Sequence, residues 1–184
     1  MSLLKIIKGS CADQNVDVVV NSANKNLTFG SGICGVIFEK AGITEMNREC
    51  QKINTPLKVS EAVITSSCNM NNCKKIIHVT GPDFREENSN NQDLYLAYYN
   101  SLKLAKEHNL HSISFPLISA GIYSGNIKNP AINSATMCIL AYNDFLSSNE
   151  DYDMDLILCA YTKESYEEIK DLKVKENRKI KKYK

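Results

Sequence analysis

The chain has 184 residues, enough for one domain with a sizeable hydrophobic core, and its 43% hydrophobic and 23% charged content is ordinary for a globular protein. No apolar run reaches the ~18 residues that a transmembrane helix requires, and the first ten residues are charged too early for a secretory signal. We therefore expect a cytoplasmic protein without a membrane partner, and the formal net charge of +1 excludes no class of soluble partner.

Short apolar runs alternate with helical patterns along the chain. Strands are predicted at residues 3–9, 16–21, 61–65, 75–81, 112–118 and 154–161. Helices are predicted at residues 35–42, 43–53, 91–108, 130–146 and 163–172. The run at 16–21 is rich in valine and typical of a strand that is buried on both faces. This alternation predicts one α/β domain with helices on both faces of the sheet.

Two loops of this pattern are dense in glycine, amide and hydroxyl residues, at 21–35 and 118–126. Both follow strands, and ligands of α/β sheets bind beyond the carboxyl ends of strands. Gly30, Gly32 and Gly35 can adopt positive φ and leave backbone N–H groups open, and a helix that begins near Gly35 would add the positive end of its dipole. The loops indicate phosphate binding, while the alternative that these glycines only make turns stays open.

The three glycines have the G-x-G-x-x-G spacing of dinucleotide-binding loops. That fingerprint follows its strand at once, whereas residues 22–29 intervene here, and no Lys-Ser or Lys-Thr pair ends a P-loop. Neither nucleotide-binding pattern therefore fits.

Seven cysteines are present in a chain without a secretory context, which indicates free thiols. Cys68 and Cys73 have C-x4-C spacing, but a zinc site needs two further ligands at comparable spacing and the chain has only three histidines. We expect structural thiols and no metal, with a metal site as the alternative.

The C-terminal residues 173–184 contain seven basic residues and one acidic residue. Removing these from the totals of 22 and 21 leaves 15 basic and 20 acidic residues, so residues 1–172 carry a charge of −5. We predict a domain at 1–172 and a basic tail at 173–184. The tail is the only feature that favours a nucleic-acid partner, and a solvated terminus explains it as well.

Four segments, VDVVVNSAN, GSGICGVIFEKAG, KIIHVTGP and FPLISAGIYSGN, resemble in order and spacing the signature segments of macrodomains of the MacroD type. The resemblance covers about residues 3–170. It implies a three-layer α/β/α sandwich with a mixed, mostly parallel sheet, and a cleft that binds ADP-ribose or a derivative without any cofactor.

The resemblance also implies roles for individual residues. Asn24 is similar to the asparagine that holds the distal ribose in hydrolytic members, and Tyr161 to an aromatic residue that packs on adenine. Asn24 and Cys34 are the catalytic candidates. The implied ligand-binding residues are Ser10, Cys11, Ala23, Asn24, Gly30, Ser31, Gly32, Ile33, Gly35, Val36, Ser119, Ala120, Gly121, Ile122, Tyr123 and Tyr161.

Two positions depart from the family pattern. Ser10 stands where the family has an aspartate that contacts adenine, and Asp13 is a nearby substitute. Cys34 stands where many hydrolytic members have an aspartate, and a thiol with an ordinary pKa of ~8.5 is mostly protonated at neutral pH. A helix N-terminus near Cys34 would lower that pKa, so a nucleophilic cysteine stays open as an alternative.

The asparagines of the first loop and His78 are expected to have different roles. We expect the buried amide of Asn24 to bind a diol, Asn21 to hold the loop backbone and Asn26 to make a turn. His78 is expected to be a core histidine with satisfied hydrogen bonds rather than a catalytic one.

The resemblance implies a hydrolase that releases ADP-ribose from esters on proteins or deacetylates O-acetyl-ADP-ribose by a positioned water. The alternative is a non-catalytic ADP-ribose reader, since the aspartate of the glycine loop is replaced by Cys34. A third hypothesis is an RNA or poly-ADP-ribose binder that uses the basic tail. We expect a monomer whose partner is ADP-ribose or an ADP-ribosylated protein.

Overall fold

The computed structural model describes residues 1–172 and contains one six-stranded sheet and five α-helices. The strands are β1 (Leu4–Lys8), β2 (Val18–Ser22), β3 (Ala62–Ser66), β4 (Lys75–Val79), β5 (Ser112–Pro116) and β6 (Asp155–Ala160). The helices are α1 (Gly32–Ala41), α2 (Ile43–Cys50), α3 (Asn91–Glu107), α4 (Pro130–Ser148) and α5 (Lys163–Ile169). The predicted basic tail at 173–184 lies outside the described residues.

The strands are ordered β1-β6-β5-β2-β4-β3 across the sheet. Every neighbouring pair is parallel except β3 and β4, which are antiparallel. The predicted mixed, mostly parallel sheet is therefore confirmed.

Two hydrophobic cores, one on each face of the sheet, make the molecule three-layered. Val18 and Val20 of β2 point to the core that contains α3, α4 and α5, and Val19 points to the core that contains α1 and α2. All three valines are fully buried, as a strand covered on both faces requires. This confirms the prediction made from the valine run.

Helix α1 begins at Gly32, three residues before the expected start at Gly35. Gly32 has φ +61°, a conformation that favours glycine, so the chain turns into the helix at this glycine and not at the later one. Two 3₁₀ turns, at Cys11–Asp13 and Ile122–Ser124, were not predicted, because three residues are too short to show a helical period.

The parallel strands bring their carboxyl ends to one edge of the sheet. The segments that follow β1, β2, β5 and β6 meet there, although they are far apart in sequence. Within residues 1–172 no helix is both long and apolar enough to cross a lipid bilayer.

Candidate functional site

A cleft of about 770 Å³ lies at the carboxyl edge of the sheet, a volume typical of small-molecule sites. Its lining residues come from four loops, from the strand ends next to them and from the first turns of α1 and α5. They are Gly9, Ser10, Cys11, Ser22, Asn24, Gly30, Ser31, Gly32, Ile33, Cys34, Val36, Pro116, Leu117, Ser119, Ala120, Gly121, Ile122, Tyr123, Cys159, Tyr161, Thr162 and Ser165.

The structure brings together nearly all the predicted site residues. Ala23 and Gly35 are the two that do not line the cleft, because both are buried beneath it. Sequence reasoning missed seven lining residues. These are Gly9, Ser22, Pro116, Leu117, Cys159, Thr162 and Ser165. Pro116 and Cys159 lie at the ends of β5 and β6, so the rule that sites lie beyond parallel strand ends was a usable signal.

The lining residues that residues 1–172 contribute carry no charged side chain and no histidine. An anion in this cleft would therefore meet hydroxyl groups, one amide and backbone N–H groups rather than lysine or arginine. Such groups are suited to the oxygens of a diphosphate when they are fixed in place before binding.

The Asn24 side chain shapes the first loop from within. Its Oδ1 accepts hydrogen bonds from the backbone N–H groups of Asn26 and Thr28 and from Thr28 Oγ1, each at 3.2 Å. Its Nδ2 donates to the Thr28 carbonyl at 2.8 Å. Asn24 is half-buried, not buried as expected, and one N–H of its amide has no protein partner among residues 1–172.

Asn26 was expected to make a turn, and it lies in the turn at residues 25 and 26. Its side chain is exposed, and its backbone N–H donates to Asn24 Oδ1. The side-chain amide that accepts hydrogen bonds from this segment is the Asn24 amide.

Gly35 is required by close approach and not by positive φ, whereas a Cβ on Gly30 would make only ordinary van der Waals contacts. A Cβ built on Gly35 would lie 2.6 Å from the Gly30 carbonyl oxygen, closer than real Cβ contacts allow. A Cβ on Gly30 would lie 3.5 Å from Asn24 Nδ2 and 3.6 Å from Cys34 Sγ. The missing side chain of Gly35 lets the first turn of α1 lie directly against the loop that lines the cleft.

Cys34 lies in the first turn of α1, next to this loop, and is buried. Its thiol donates a hydrogen bond to the Thr28 carbonyl at 3.5 Å and accepts one from Asn21 Nδ2 at 3.7 Å. Burial raises the pKa of Cys34 above its ordinary value, and the hydrogen bonds from Asn21 and Gly30 only partly oppose this. The expected lowering of this pKa is wrong, and the protonated thiol argues against a nucleophilic role.

The Asn21 amide joins Cys34 to His78. Asn21 Nδ2 lies 3.1 Å from His78 Nδ1, and Thr65 Oγ1 lies 3.0 Å from His78 Nε2 while donating to the Ser66 carbonyl. His78 Nε2 is therefore the protonated nitrogen, and Nδ1 accepts from Asn21. Burial lowers the pKa of His78 to about 4.

His78 is thus a neutral core histidine with both ring nitrogens bonded, as expected. Asn21 binds two side chains and not the loop backbone, so that expectation is wrong. Its Oδ1 is buried without a hydrogen-bond partner among residues 1–172.

The second loop is fastened to residues 82–85. Ser119 Oγ donates to the Pro82 carbonyl at 2.7 Å, and the Phe84 N–H donates to the Tyr123 carbonyl at 2.8 Å. The Arg85 guanidinium lies 5.2 Å from the centre of the Tyr123 ring, a cation–π distance. Positive φ at Ser119, +56°, turns the chain into this loop.

Ser10 and Tyr161 lie at the opposite end of the cleft. Ser10 Oγ accepts the Ala12 N–H at 3.2 Å and caps the 3₁₀ turn, and the Tyr161 ring is 76% exposed at the mouth. Asp13 forms a 2.8 Å ion pair with Lys40 and does not line the cleft. Asp13 is therefore not the substitute carboxylate that the sequence suggested.

All seven cysteines are free thiols. Across residues 1–172, no group of three or more His, Cys, Asp or Glu side chains is arranged to hold a metal ion. The C-x4-C pair consists of a buried Cys73 and a partly exposed Cys68.

Comparisons with a family profile, with related sequences and with solved structures all identify the same protein family. The Macro domain family profile matches residues 20–132. The O-acetyl-ADP-ribose deacetylase of Escherichia fergusonii is 35% identical over 150 residues, which cover 79% of this chain and 81% of that protein. The Mus musculus ADP-ribose glycohydrolase MACROD2 is 34% identical over 160 residues, although the match covers only 32% of that protein and 86% of this chain.

Among solved structures, the Oceanobacillus iheyensis macrodomain with ADP has a TM-score of 0.78 and 29% identity, and the match covers 89% of this chain and 86% of that one. These matches cover most of the chain. Together with the sheet order and the cleft at its carboxyl edge, they agree with the resemblance to macrodomains that the four sequence segments indicated. The chain belongs to the macro domain family.

Proposed function

We propose that this protein binds ADP-ribose in the cleft and hydrolyses ADP-ribose esters on proteins or O-acetyl-ADP-ribose. The observation that carries the proposal is the cleft at the carboxyl edge of the sheet, whose lining within residues 1–172 is uncharged and includes two glycine-containing loops, the first of which holds the half-buried amide of Asn24. The names of the relatives from Escherichia fergusonii and Mus musculus, a deacetylase of O-acetyl-ADP-ribose and an ADP-ribose glycohydrolase, support the same ligand and the same class of reaction.

In this proposal the diphosphate lies between the loops at Gly30–Gly32 and Ser119–Tyr123. The free N–H of Asn24 donates to a hydroxyl of the distal ribose, and its fixed turn holds that hydrogen in place. The adenine packs on Tyr161, whose exposed ring offers a flat apolar face.

The reaction consumes one water molecule. The water oxygen forms a bond to one of the two carbons that the ester oxygen joins, and the bond from that carbon to the ester oxygen breaks. One proton of the water is transferred to the ester oxygen, so the products are one hydroxyl group and one carboxyl group. Residues 1–172 place no carboxylate in the cleft, and the Cys34 thiol is protonated, so a phosphate oxygen of the substrate is the base that this mechanism uses.

The alternative is a reader that binds ADP-ribose without turnover. Its support is the same absence of a carboxylate from the lining contributed by residues 1–172, together with Cys34 at the start of α1.

RNA or polymer binding through residues 173–184 rests on charge alone. We propose a cytoplasmic location, since free thiols persist in a reducing compartment. We also propose a monomer.

The test is release of ADP-ribose from a protein modified on acidic side chains, and of acetate from O-acetyl-ADP-ribose. Wild type should release product, and Asn24→Ala should reduce the rate by at least about tenfold, because both the donor and the turn are lost. Asn26→Ala is the matched control, since that exposed amide should leave the rate unchanged.

Three outcomes are distinguishable. Release by wild type that exceeds release by Asn24→Ala supports the hydrolase. Calorimetric binding of ADP-ribose without release establishes the reader. If ADP-ribose does not bind at all, both proposals are overturned.

A further inference from the structure

We propose that the end of the cleft formed by Ser10, Tyr161 and Ser165 does not select the 6-amino group of adenine, so that the protein also accepts 6-oxopurine diphosphate-riboses. The inference rests on the proposed function, which places the base at this end. It concerns which nucleotides the same site accepts.

The side chains at this end are neutral, and those other than Tyr161 are small. Ser10 Oγ accepts the Ala12 N–H at 3.2 Å, which leaves its own hydrogen and a second lone pair free. Ser165 Oγ accepts a hydrogen bond from Thr162 Oγ1 at 3.0 Å, so the hydroxyl hydrogen of Ser165 is also free. Cys11 also lines the cleft, and its thiol hydrogen is already donated to the Val20 carbonyl at 3.5 Å.

The carboxylate nearest in sequence is held elsewhere. Asp13 Oδ1 pairs with Lys40 Nζ at 2.8 Å, and neither residue lines the cleft. Within residues 1–172 the base end therefore offers hydroxyl groups and a ring face but no fixed anionic acceptor.

Hydroxyl groups pair with either kind of purine edge. The 6-amino group of adenine only donates, whereas the 6-oxo group of hypoxanthine only accepts. A carboxylate accepts only and favours the amino form, but a serine hydroxyl rotates to donate or to accept. Stacking on Tyr161 is also indifferent to this substituent, because every purine presents a π face.

The experiment compares the calorimetric Kd of ADP-ribose with that of inosine diphosphate ribose. For wild type the two values should agree within about threefold, since only neutral hydrogen bonds differ. Ser10→Asp should favour ADP-ribose by at least about tenfold, because charged hydrogen bonds are roughly twice as strong as neutral ones. Aspartate also caps the 3₁₀ turn, so this variant keeps the local fold.

Two controls isolate the charge. Ser10→Asn keeps the cap without a charge and should leave the ratio near that of wild type. Asp13→Asn removes a carboxylate outside the cleft and should also leave the ratio unchanged.

The inference is overturned if wild type binds ADP-ribose more than about tenfold tighter than inosine diphosphate ribose. It is also overturned if Ser10→Asp leaves the ratio unchanged, or if Asp13→Asn alters it. Binding of ADP-ribose alone defeats this inference and leaves the proposed function intact, whereas failure of both nucleotides to bind defeats both.

Discussion

Replacing Gly35 by alanine tests whether the close contact between helix α1 and the first loop shapes the cleft. The new Cβ would lie 2.6 Å from the Gly30 carbonyl oxygen, and real Cβ atoms essentially never approach closer than 3.0 Å, so the two segments must separate by at least 0.4 Å. The obstacle is backbone, which cannot rotate away as a flexible side chain can.

The energetic terms oppose each other. Overpacking costs about 1–3 kcal/mol, and alanine in place of a helical glycine gains about 0.5–1 kcal/mol. We expect a net loss of about 1–2 kcal/mol, which lowers the Tm of a domain of this size by about 2–8 °C. Because Gly30 lines the cleft, the affinity for ADP-ribose should fall by at least about tenfold.

Differential scanning calorimetry gives the Tm, and titration calorimetry with ADP-ribose gives the Kd. Glu39→Ala, at an exposed position of the same helix, is the control and should change stability by less than about 0.5 kcal/mol with an unchanged Kd. A Gly35→Ala protein with the wild-type Kd would refute the reasoning, whatever its Tm, since the contact would then not shape the cleft.

Three further predictions concern Cys34, His78 and Cys68. Cys34→Asp should raise ester turnover, because a carboxylate beside Asn21 Nδ2 can orient a water; a rate equal to or below wild type would contradict this. The pKa of His78 is lowered from 6.5 to about 4 in the folded protein, so the unfolded chain binds a proton at a higher pH than the folded protein does. The free energy of unfolding should therefore fall by up to about 3 kcal/mol between pH 6.5 and pH 4. Denaturant unfolding of His78→Gln against wild type checks this, and equal pH slopes would refute it. A thiol reagent near neutral pH should rapidly label one cysteine per folded chain, Cys68, because the other six are buried; rapid labelling of Cys34 would count against its burial.

The fold was largely predictable from local patterns. The valine run at 18–20 is typical of a strand covered on both faces, and the sequence between strands had helical period. The antiparallel pairing of β3 was not predictable from periodicity, since an apolar run carries no direction.

The roles of individual site residues were harder to predict, because a residue type allows several roles. Gly35 serves close packing against Gly30 and has no positive φ, a distinction that depends on what lies opposite it. Likewise, Asp13 is adjacent in sequence to the base end of the cleft, yet its pairing with Lys40 across the fold removes it from the site.

The uncharged lining of the cleft has a consequence for kinetics. Attraction between fixed charges normally accelerates the encounter of protein and ligand, and dissolved ions weaken it. Residues 1–172 carry −5 and contribute no cation to the cleft lining, so they do not draw in a doubly anionic ligand over a distance. Salt screens a weak repulsion between these residues and the ligand, so the association rate should not fall as ionic strength rises.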